Sequence, residues 1–234
     1  MNIPADLPLH LLHRNGLGTL ATHARSPEGF PYPTVMPFAL DARHRPVILV
    51  SGLAEHTRNL AADPRAGFLV VDEPDSVASG GAEPEGGVLN AARVTLVGRF
   101  ERIDDDPSLT QRYLRYHPDA ARYVALGDFS FWALVCQRMR YIGGFGQMGW
   151  LDADALDPLP PLSFDEEQAL WAAADRPPLH RAGLALLGVD RYGADWRRDG
   201  RRVRTPFDAP KTDPAAVAAA LQTVAPSLSL PTRT

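Results

Sequence analysis

Short apolar runs alternate with turn residues along the first 150 positions, at the spacing of a small antiparallel sheet. Residues 7–13 are apolar on one face and predict an opening helix, which Gly16 and Gly18 terminate. Strand-like runs follow at 17–22, 34–40, 47–51 and 67–71, each rich in β-branched or aromatic residues and bounded by Gly, Pro, Asp or Asn. Pro37 inside the second run marks an edge strand or a bulge, because proline cannot donate to a ladder. Residues 55–62 read as one short helix closed by Asp63-Pro64, and the polar stretch 75–87 reads as a loop. In 92–103, Val94, Leu96 and Phe100 broadly alternate with Arg93, Thr95, Arg99 and Glu101, the pattern of a long strand. Helices are expected from Pro107 and Pro118, and then a hairpin-like pair at 129–137 and 139–142. Six or seven mostly antiparallel strands with helices at the ends predict an α+β chain built on a closed or split barrel.

The pattern changes at residue 154. Asp157-Pro-Leu-Pro-Pro161 is a stiff linker, and beyond it a helix at 165–174, three short strands and an Ala-rich helix launched by Asp213-Pro214 form a small α+β unit. The expected organisation is therefore 1–153 for the barrel, 154–163 for the linker, 164–226 for the second domain and 227–234 for a tail.

Composition narrows the function classes. A net charge of −4 with no basic stripe argues against nucleic acid. Cys136 is the single cysteine, which excludes a disulfide framework and a cysteine-based zinc site. With no signal-peptide pattern and no long apolar run, a cytoplasmic protein that does not enter the membrane is expected. The seven histidines (10, 13, 23, 44, 56, 117 and 180) show no metal-ligand spacing, so no metal site is assigned.

The richest chemistry lies in Val50-Ser-Gly-Leu-Ala-Glu-His-Thr-Arg-Asn-Leu60. A strand ends on the hydroxyl of Ser51, and His56, Thr57, Arg58 and Asn59 crowd the start of the next helix. Hydroxyls, a guanidinium and the unpaired N–H groups of a helix N-terminus together suit a phosphate. The competing explanation is that Thr57 caps the helix and Arg58 pairs with a surface carboxylate.

Residues 53–60 with Asp63-Pro-Arg65, then Ala92-Arg-Val-Thr-Leu-Val-Gly98, Gly127-Asp-Phe129, Ile142-Gly-Gly-Phe-Gly146 and Trp150-Leu151, stand in the order found in a known family. The chain resembles the FMN-binding split β-barrel of pyridoxamine-phosphate-oxidase-like proteins, in its HugZ-type haem-utilisation form. The resemblance implies FMN held by Thr34, Val35 and Met36 along the ring, by Ser51, His56, Thr57, Arg58 and Asn59 at the phosphate, and with Arg93 and Thr95 nearby. It implies a homodimer and an FMN-dependent oxidoreductase, with no catalytic residue nominated. Haem is the alternative cofactor, for a haem-binding or haem-degrading protein, and a cofactor-free dimeric module is a third possibility. Haem-degrading members carry an iron-binding histidine near the C-terminus, whereas no histidine follows His180 here. The aromatic run 129–132 and the strand 92–103 are expected to supply core or dimer surface.

Overall fold

The computed structural model describes residues 3–72, 91–143, 147–156, 159–174 and 183–228. The chain divides into two compact units, residues 1–106 with 119–158, and residues 107–118 with 159–234.

The first unit begins with α1 (Asp6–Arg14) and continues through β1 (Leu17–Arg25), β2 (Glu28–Pro37), β3 (Ala39–Leu40), β4 (Pro46–Ser51), α2 (Glu55–Ala62), β5 (Arg65–Val71) and β6 (Arg93–Ile103). The helix α3 (Pro107–Tyr116) belongs to the second unit, after which α4 (Ala121–Val124), β7 (Phe129–Ile142) and β8 (Met148–Asp152) complete the first. All its strand pairs are antiparallel, in the order β2-β1-β5-β6-β7-β4-β3, with β8 also on β7. One edge of β7 carries β6 along its length. The other edge takes β4 against its first half and β8 against its second, which gives the sheet its split form. The α+β split-barrel expectation holds.

The inner face is apolar. Phe68 stands edge-on to both Phe38 and Phe100, with ring centroids 5.3 and 6.1 Å apart, and aromatic pairs favour this geometry. Leu20, Val47, Ile48, Val94, Leu134 and Met139 fill the space around them. Trp132 is also buried in this unit, its indole N–H donating to Ser130 Oγ at 3.0 Å, which is the core alternative of the two expected for its aromatic run.

The sequence reading divided β7 into two strands, and the structure corrects this. β6 shifts register between Val97 and Gly98: Val97 faces Arg138 but Gly98 faces Cys136, leaving Gln137 over. A bulge of this kind reverses the in–out alternation without ending the strand. Gly98 is required there, since a Cβ would lie 2.2 Å from the Val135 carbonyl oxygen. The partner of β7 at its far end is β8, which the glycine-rich stretch before it concealed. Residues 144–146 of that stretch, the loop expected at 75–87 and His180 lie outside the described residues.

The second unit combines α3, α5 (Phe164–Ala174), the antiparallel sheet of β9 (Leu184–Asp190), β10 (Gly193–Arg198) and β11 (Arg201–Pro206), and α6 (Pro214–Leu228). Leu170, Leu186, Val189, Trp196, Val217 and Leu221 form its core. Beside that core lies a buried polar chain. Glu167 accepts from Arg112 and Arg115, Tyr116 donates its hydroxyl to Asp195 at 2.6 Å, and Arg204 bridges Asp190 and Asp195. Burial, with the Asp195 carboxylate beside it, holds the Tyr116 hydroxyl well above the usual phenol range.

Candidate functional site

The strand register distributes the residues named from the sequence over two places. The first is the outer face of the sheet. Along β1, β5 and β6 every second residue points inward, so Leu17, Thr19, Ala21 and His23 look outward, as do Arg65, Gly67, Leu69 and Val71 and then Arg93, Thr95 and Val97. Cross-strand pairing lines these up. Val35, Thr19, Leu69, Thr95, Arg140 and Trp150 form one row across six strands, and Pro33, Ala21, Gly67, Val97, Arg138 and Asp152 form the next. Val35, Thr95 and Arg93 therefore share a face. Thr34 and Met36 do not, because they pair with Leu20 and Gly18 on the inward side of the alternation.

This face is apolar in its middle and cationic along one side. Val35 is 66% exposed and Trp150 46%, and Leu17, Val71, Val97 and Met148 are exposed too. The Trp150 ring has the Arg138 guanidinium 4.8 Å and the Arg140 guanidinium 5.7 Å from its centroid, within cation–π range of both. A concavity of about 380 Å³ opens in the same face, bordered by His23, Pro31, Arg65, Val97 and Gln137 over a floor of Ala21 and Gly67. That volume lies in the range of small-molecule sites. The floor is low because its residues are small, and a Cβ on Gly67 would meet only ordinary contacts at 3.9 Å. At the rim Arg65 donates to both oxygens of Asp63, and these hydrogen bonds hold the Asp63 carboxyl well below the usual carboxylate range.

The second place is the start of α2, and its groups are largely engaged with one another. Ser51 Oγ donates to Asp128 Oδ2 at 2.7 Å and accepts from the Leu53 N–H at 3.1 Å. Arg58 donates to the Leu53 carbonyl at 2.8 Å and stands 3.5 Å from Glu55. Asn59 is fully buried, donating to Thr22 Oγ1 at 3.1 Å and accepting the Arg25 N–H at 3.3 Å, so its amide fastens α2 to β1. Burial pushes the His56 imidazole pKa below its ordinary value. The Thr57 hydroxyl is buried with no hydrogen-bond partner among the described residues. As folded, two carboxylates face the groups that a phosphate dianion would need, and among the described residues the Thr57 hydroxyl and the His56 ring have no hydrogen-bond partner.

Two features were not legible from spacing. Asp128, the middle residue of the Gly127-Asp-Phe129 phrase, accepts the Ser51 hydroxyl hydrogen bond from 77 residues away. His13 and His44, 31 residues apart, are buried together with Nε2 and Nδ1 2.8 Å apart.

Strand order, and the two strands that share one edge of a continuous β7, define a split β-barrel. The family model "CREG, beta-barrel" matches residues 5–156, and the chain belongs to that family. It is 32% identical over 129 residues to the chloroplastic haem oxygenase HOZ of Arabidopsis thaliana, an alignment covering 54% of this chain and 36% of that protein. The chain thus spans about a third of that relative's length. A solved haem-binding protein from Mycobacterium smegmatis is 28% identical, with 97% of this chain and 98% of that one covered, at a TM-score of 0.58. A protein of unknown function from Agrobacterium tumefaciens shares the fold, at 20% identity, 94% coverage of each chain and a TM-score of 0.70. Among the described residues no helix is long and apolar enough to cross a membrane.

Proposed function

We propose that this protein binds haem on the outer face of its barrel, between two copies of the chain. The observation that carries this reading is the shape and charge of that face. Its small-residue floor admits a flat ligand close to the backbone, its Val35, Leu69 and Val97 side chains suit a macrocycle, and Arg138 and Arg140 suit two carboxylates. The names of the Arabidopsis and Mycobacterium relatives support the same ligand class. Bound haem would supply an iron centre whose properties follow from its axial ligand and surroundings. Residues of this chain would orient the ring and exclude water. The second copy follows from the exposed apolar strip from Leu17 to Trp150, which a lone protomer leaves in solvent.

FMN is the second reading, favoured by the buried, unpartnered Thr57 hydroxyl, which a phosphate entering the α2 site would satisfy. The absorbance spectrum separates the two. A Soret band that shifts and saturates on haemin addition, with no flavin bands in the purified protein, is expected. Flavin bands in the purified protein and no response to haemin would overturn the haem reading in favour of FMN.

A further inference from the structure

We infer that His23 is the axial ligand that this chain offers to the iron, an assignment that rests on the haem reading above. A haem ligand must present a ring nitrogen free to bind, at the cavity. His13 and His44 are occupied with each other, the Nε2 of His117 lies 3.3 Å from an Arg202 nitrogen, and His10 on α1 is also engaged. His56 has no hydrogen bond among the described residues, but it stands on α2 and does not border the cavity. Among the described histidines, His23 alone borders it.

The strand geometry explains why this position is suited. His23 lies on the outward side of β1, two residues along from Ala21, so its ring rises beside the lowest part of the floor. Opposite it on β2 stands Pro31, whose ring donates no hydrogen bond and cannot engage the imidazole. No hydrogen bond or ion pair among the described residues occupies the His23 ring. The absence of histidine after residue 180 then needs no substitute from the second unit, because the barrel carries its own.

The test is haemin titration of the full chain followed in the Soret region, for wild type and for His23→Ala, His56→Ala and His180→Ala. His23→Ala is expected to weaken haem at least tenfold and to move the Soret maximum, and added imidazole is expected to restore the wild-type spectrum. The other two variants should match wild type. His23 is exposed, so its replacement leaves the core intact, and coincident thermal melts of apo-protein confirm this. A wild-type spectrum and affinity in His23→Ala would overturn the ligand assignment while leaving the haem reading standing. Loss of the spectrum in His56→Ala or His180→Ala instead would move the ligand to that residue. A wild type that never changes the haemin spectrum would overturn the haem reading itself, and the ligand assignment with it.

Discussion

Replacing Asn59 by alanine separates a structural role from a ligand role at the start of α2. The side chain is fully buried and makes two hydrogen bonds to β1, one to the Thr22 hydroxyl and one from the Arg25 N–H. Each lost bond costs about 1 kcal/mol net, and leaving buried partners unsatisfied adds to that. Thr22 is itself buried, and its remaining contact, to the Tyr32 carbonyl, is a long 3.5 Å. The total is about 2–3 kcal/mol, which for a chain of this size lowers Tm by roughly 4–12 °C. Circular dichroism melts of the apo-protein measure it. If Asn59 serves the fold, the melt drops by this amount while affinity for haemin, and for FMN where it binds, changes less than twofold at a temperature where both forms are folded. An unchanged melt together with a large loss of ligand affinity would refute the reasoning and return Asn59 to the ligand.

Arg204→Met strands two buried carboxylates, Asp190 and Asp195, and should destabilise the second unit by about 3–5 kcal/mol, read as a lower urea midpoint; an unchanged midpoint would contradict the bridging role. Val35→Glu places a charge on the exposed apolar strip and should weaken self-association at least tenfold by light scattering, whereas an unaffected dimer would put the interface elsewhere. The His56 imidazole is harder to protonate in the fold than in the unfolded chain, so the unfolded state binds the extra proton first as pH falls. Stability should therefore decline as pH drops through the ordinary histidine value of 6.5 and level off below the folded value, and His56→Gln should remove that part of the slope; identical pH profiles would refute it.

Most strands were legible because half-buried strands carry period-two patterns, and α2 matches its expected range of 55–62. β7 was misread because one bulge at Gly98 reverses the alternation near Arg138, and a period-two pattern cannot carry across an inserted residue. The site was half legible. Local sequence brings Ser51, His56, Thr57, Arg58 and Asn59 together, but whether a side chain is spent on the fold depends on distant partners such as Asp128 and Thr22. The outer-face site has no local signature. Ala21 and Gly67 are small residues on two strands, and only the pairing register sets them side by side as one floor. His23 counted in the sequence only as one of seven histidines without metal-ligand spacing.

The most direct measurement of the central claim is haemin affinity in Gly67→Val. Gly67 lies on an outward-facing strand position where an added Cβ meets only ordinary contacts at 3.9 Å, and a β-branched residue favours strand, so the fold is retained. The new side chain would stand on the cavity floor. If haem lies on this face, Soret titration shows affinity at least tenfold weaker than wild type with an unchanged or higher melting temperature. Wild-type affinity in the correctly folded variant would contradict the account and place the ligand elsewhere.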